Sequence, residues 1–156
     1  MESNTLKYTN ARLLAVQAVY AHTQSPEDWN ELISRFLLEE VGGQVLEGQG
    51  KNEKLICLES ADKELFAHLT QYVRDNEATV QETILSALSD SVKANGLGLI
   101  LNCILKVAVA EFYVNADLDT PIIINEYVDL TRSFYDGPEV KIVNAVLDKI
   151  AHVLRG

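Results

Sequence analysis

Residues 99–154 read LILNCILKVAVAEFYVNADLDTPIIINEYVDLTRSFYDGPEVKIVNAVLDKIAHVL, and their punctuation decides the fold. Thr120-Pro121 puts a capping hydroxyl before a proline, the pattern of a helix start. Asp136-Gly137-Pro138 ends that helix on a glycine and opens the next on a proline. The stretch is therefore three helices joined by two short turns. The first, taken from Leu97 to Val114, is apolar nearly all round, as in a helix buried on most faces. The second carries Ile123, Ile124, Tyr127, Val128, Thr131 and Phe134. The third carries Val143, Val146, Leu147, Ile150, Val153 and Leu154. Both are one-sided stripes at helical spacing.

The upstream chain must supply a partner surface for this block. Residues 1–8 read as a flexible arm. Thr9 or Asn10 caps a first helix over Ala11–His22. Ser25-Pro26-Glu27-Asp28 starts a second, with Trp29, Leu32, Ile33, Phe36 and Leu37 on one face. Residues 41–59, bounded by Gly42-Gly43 and carrying Gly48-Gln49-Gly50, read as an irregular loop or hairpin. Ser60 caps a long helix through Leu65, Leu69, Tyr72, Val73, Val80, Ile84 and Leu88, with a break expected at Asp75-Asn76. Asn95-Gly96 turns into the final block. The expected fold is all-α, with six or seven helices in a single domain over residues 1–156.

With 156 residues and 47% apolar content, the chain can bury a substantial core. No run of eighteen apolar residues lacks a polar break, and Met1-Glu2-Ser3-Asn4 is no signal peptide, so a soluble cytoplasmic protein with no membrane contact is expected. Cys57 and Cys103 share no metal or redox spacing. The chain carries 13 Lys and Arg against 23 Asp and Glu, a net charge of −10, which disfavours indiscriminate binding to polyanions. The acids are unevenly placed. Residues 3–26 contain none, yet hold Lys7 and Arg12, and the last helix adds Lys141, Lys149, His152 and Arg155.

No catalytic constellation emerges. Glu64 and His68 stand four apart on one helix, but no second pair completes a metal site. Glu111, on the most apolar helix, reads as a buried acid paired to a lysine or a backbone donor rather than as a general base. Asn125 and Glu126 read as interhelical contacts, and Asn144 has no assigned role. No cofactor is expected.

Four motifs in order resemble the NusB family of bacterial transcription antitermination factors. They are Ala15-Val16-Gln17-Ala18-Val19-Tyr20, the run Ile104–Phe112 (ILKVAVAEF), Pro121 with Ile124–Leu130 (INEYVDL) and Ser133-Phe134, and Lys141–Ala151 (KIVNAVLDKIA). The resemblance implies two packed helical subdomains and no enzymatic activity. It implies binding to boxA RNA together with NusE, a small-subunit ribosomal protein, and association with the RNA polymerase elongation complex, notably on ribosomal RNA operons. By the same resemblance the RNA lies across the starts of the first and last helices, touching Lys7, Arg12 and Lys141. Tyr8 has two readings, a stack on an unpaired base or a contact with the core or the arm. The family's arginine-rich opening is reduced here to Lys7 and Arg12. The run Asn95–Asn102 is more apolar than in relatives. A face including Leu97, Leu101 and Ile104 is therefore expected to be buried or to be a protein-partner or homodimer surface. The alternatives are an interaction module without RNA binding, and the N-terminal domain of an RNA methyltransferase.

Overall fold

A computed structural model describes residues 2–26, 28–38 and 61–156. The loop expected over 41–59, Cys57 and the Ser60 cap lie outside the described residues. Seven helices and no strand occur among those described: α1 Glu2–Gln24, α2 Trp29–Leu37, α3 Lys63–Ala87, α4 Asp90–Asn95, α5 Leu99–Val114, α6 Thr120–Arg132 and α7 Glu139–Arg155. The chain divides into two compact units, Met1–Arg74 and Asp75–Gly156. The division falls beside Asn76, whose φ of −131° and ψ of 28° interrupt α3, where the break at Asp75-Asn76 was expected.

In the first unit, α1 begins at Glu2, so residues 2–8 are helical rather than an arm. No proline or glycine interrupts them, and extending a helix already anchored from Asn10 onward adds one hydrogen bond per residue without a new nucleus. Ala11, Leu14, Ala15, Ala18 and Val19 are fully buried. The second start lies at Asp28, whose carboxylate accepts the Asn30 amide at 2.8 Å. Leu32, Ile33 and Phe36 of α2 are buried, and the Phe36 ring stacks on Phe66 with centroids 5.8 Å apart. His22 stacks on Trp29 at 4.0 Å. Asp62 caps α3 through its carboxylate, 2.7 Å from the Leu65 amide, and its own amide donates to the Lys7 carbonyl at 3.0 Å.

In the second unit α5 is the centre, in contact with both α6 and α7. Residues 103–112 are all buried, as an all-round apolar helix requires. Gly96 closes α4 with φ +83°, the left-handed conformation glycine adopts without strain. Gly98, the N-cap of α5, has no side chain to cap with. The Tyr135 hydroxyl lies beside this start, where a Cβ added at Gly98 would meet it at 3.5 Å.

Two punctuation marks act differently from their expected roles. The N-cap of α6 is Asp119, whose carbonyl accepts from the Ile122 and Ile123 amides, and Thr120 is already helical. That helix stops at Arg132, before Phe134, and the Phe134 and Tyr135 amides both close onto the Thr131 carbonyl. Pro138 then serves as the N-cap of α7.

Candidate nucleic-acid interface

The three cations expected at the RNA surface occupy different environments. Lys7 is exposed, and Tyr8 beside it is 45% exposed. Because α1 begins at Glu2, Lys7 lies on the helix flank and not at its N-terminus. Arg12 is only 4% exposed, so its guanidinium belongs to the packed interior of α1. This corrects its expected place on an open surface. The buried run from Asn10 to Val19 takes in both faces of the helix there, and Arg12 falls within it. Lys141 is exposed in the first turn of α7. Pro138 offers no side-chain cap, and the 139–141 amides precede the first intrahelical bond, Ile142 to Pro138 at 3.1 Å. Lys141 therefore stands beside backbone donors suited to an anion.

The expected partner face resolves into core at two positions. Leu101 is 3% exposed and Ile104 not at all, while Leu97 is half-buried. Of the two readings of that face, burial describes Leu101 and Ile104. Leu99, 39% exposed, is the apolar residue this segment leaves most open.

The polar core of the second unit is built from side-chain hydrogen bonds. Glu111 is fully buried, as expected, and its partners include the Tyr127 hydroxyl at 2.6 Å and the Asn115 side-chain amide at 3.0 Å. Lys106, five residues earlier and 7% exposed, reaches Glu77 at 3.4 Å. Gln81 and Asn102 exchange two amide hydrogen bonds, 2.9 and 3.3 Å. Asn125 is exposed rather than an interhelical contact, because it lies opposite the Ile124–Val128 stripe; Glu126 is half-buried and Asn144 exposed.

Arg155, one of the basic residues of the last helix, turns inward. Its Nη1 donates to the Leu118 carbonyl at 2.6 Å and the Thr120 hydroxyl at 3.3 Å. Its Nη2 donates to the Phe112 and Asn115 carbonyls at 3.0 and 3.2 Å, and the guanidinium lies 5.2 Å from the Phe112 ring centre. The Phe112 carbonyl, in the last turn of α5, thereby gains a donor. No local sequence signal marks this role, because its acceptors, three carbonyls and one hydroxyl, lie 35 to 43 residues away.

Burial raises the Tyr135 hydroxyl above its ordinary pKa, and the Glu139 carboxylate raises it further; the Leu101 backbone hydrogen bond opposes them. Glu64 and His68 are both exposed. Among the described residues no group of three His, Cys, Asp or Glu is placed to hold a metal, and no helix is long and apolar enough to cross a membrane.

Among the described residues the arrangement is all-helical, in two units, with Lys7 open on a helix flank and Lys141 open at a helix start. The NusB family model matches residues 9–152, and the chain belongs to the NusB family. The transcription antitermination protein NusB of Hyphomonas neptunium is 32% identical over 145 residues, 93% of this chain and 89% of its own length. That of Caulobacter vibrioides is 31% identical over 145 residues, 93% and 92% respectively. The solved T. maritima NusB superposes with a TM-score of 0.69 at 22% identity, covering 92% of this chain and 89% of its own.

Proposed function

We propose that this protein is a transcription antitermination factor that binds boxA RNA together with NusE and travels with elongating RNA polymerase, notably on ribosomal RNA operons. The observation that carries the reading is the match to the antitermination family over nearly the whole chain. Two open cations support it. Lys7 with Tyr8 on α1 offers a charge beside an aromatic face, the combination that holds an unpaired nucleotide. Lys141 on α7 offers a charge beside free helix amides, which suits a phosphate. Arg12, buried, acts by holding α1 and not by touching phosphate. No enzymatic step is assigned.

With two direct phosphate contacts and a net charge of −10, the protein alone binds RNA weakly, and NusE completes the site. A boxA oligonucleotide titrated with this protein, with and without NusE, tests the reading. Tight binding only in the ternary mixture is expected. If the mixture binds boxA no better than a scrambled RNA, the RNA function is absent.

A further inference from the structure

Helix α7 forms one side of a groove of about 450 Å³, opposite Ala87 and Val92 from the end of α3 and from α4. Ile142 and Val146 line it as well, with Lys141 and Lys149. A smaller hollow of about 190 Å³ shares Ala87 and Lys149 with it and extends to Val153. The two form one furrow along α7. Lys141, Ala145, Lys149 and Val153 recur every four residues, so they share a stripe of the helix. Twelve residues of helix span about 18 Å, or roughly three turns.

Two features say what fits there. Val153 is 82% exposed, a large apolar side chain left open at the end of an apolar furrow. Lys141 and Lys149 are exposed and make no ion pair with a described residue, although the chain is strongly acidic. Asp148 is the lone acid among the lining residues. No aromatic side chain and no arginine lines either hollow, whereas single-stranded RNA sites stack bases on such groups. Aliphatic walls flanked by unpaired lysines complement an acidic amphipathic helix.

We propose that the furrow along α7 seats one amphipathic helix of a partner protein, apolar on its inner face and acidic on its flanks. This goes beyond the RNA reading, with which it shares only Lys141. Apolar anchors at i, i+3 or i+4 and i+7 would lie over Ala87, Val146 and Val153, and carboxylates would meet the lysines.

Peptides of 14 residues, selected from a randomised display library against the full chain, supply the probe. The enriched peptides are expected to be acidic, with aliphatic residues at helical spacing. Their affinity should fall at least tenfold on Ala145→Trp, which fills the furrow from an exposed position, and on Lys149→Glu. Circular dichroism confirms that both variants fold. Binding of oligouridylate should be unchanged by Ala145→Trp. Recovery of neutral or basic binders, of binders indifferent to both substitutions, or of none overturns the proposal. Loss of oligouridylate binding on Ala145→Trp, with peptides unaffected, assigns the furrow to RNA instead. Failure of the boxA reading shows separately, as a mixture with NusE that binds boxA no better than a scrambled RNA, whatever the peptides do.

Discussion

The Tyr127 hydroxyl on α6 donates a 2.6 Å hydrogen bond to Oε1 of Glu111 on α5, a residue with no exposure to solvent. Asn115 donates to the other carboxylate oxygen at 3.0 Å. The acid is thus held by side-chain donors from two elements and fixes how α6 lies on α5. Tyr127→Phe keeps the ring and removes only the donor. An acceptor left unmet in the interior costs about 1–3 kcal/mol, and more when charged. Tyr127→Phe is therefore expected to lower stability by about 2–3 kcal/mol, read from urea unfolding with unchanged m. A loss under about 0.5 kcal/mol would show that water or Asn115 suffices.

Arg155 ties the end of α7 to the turn between α5 and α6 through four acceptors. Lysine carries the charge but not the fork that reaches both sides at once. Arg155→Ala is expected to cost about 2 kcal/mol and Arg155→Lys about half of that, since the site is partly exposed and water replaces some bonds. Amide exchange should accelerate at residues 115–120 in both variants. Unaltered exchange there would mean that the turn holds itself.

In the first unit, Asp62 acts twice: its carboxylate caps α3 and its amide meets the Lys7 carbonyl. Asp62→Ala removes the cap and leaves the amide bond, and loss of a cap costs about 1 kcal/mol. Trp29, the only tryptophan, lies in the same unit and reports the unfolding by fluorescence. Asp62→Asn, which still accepts, should recover most of the loss.

Tyr135 sets a limit at high pH. Its hydroxyl is raised above 10.0 by burial and by Glu139, so the folded state retains the proton that the unfolded chain releases. The stabilisation this reflects is complete below pH 10 and is lost as pH rises through the folded value. Alkaline unfolding curves should therefore fall less steeply above pH 10 for Tyr135→Phe than for the parent. Parallel alkaline slopes would remove Tyr135 from the account.

Glycine, proline and the helical stripes made the helices of the second unit legible, because burial follows a period of 3.6 residues. The break at Asp75-Asn76 was legible for the same reason. Helix ends were not. Thr120, Gly137 and Ser25 carry the right chemistry, but Asp119 caps the start of α6, its end closes on the Thr131 carbonyl, and Asp28 caps α2, choices local patterns do not encode. The same limit applied at the site. A lysine and an arginine five residues apart read alike in sequence, and only packing separates exposed Lys7 from buried Arg12.

That separation yields the decisive test of the RNA surface. For a single strand, each phosphate contact contributes about −0.7 to the slope of log K against log salt. Two direct contacts give a slope of roughly −1.4 for this protein's share of boxA binding in the presence of NusE. Lys7→Ala and Lys141→Ala should each flatten the slope by about 0.7, weaken binding at low salt and leave stability within about 0.5 kcal/mol of the parent. Arg12→Ala should do the reverse. Its side chain is packed and hydrogen-bonded or otherwise engaged within the protein, so removing it should cost about 2 kcal/mol of stability or more. In the protein that remains folded, its slope should match the parent's. If Arg12→Ala flattens the slope and Lys7→Ala does not, α1 presents a different face to RNA from the one exposed here. If none of the three moves the slope, the phosphates are held by NusE alone.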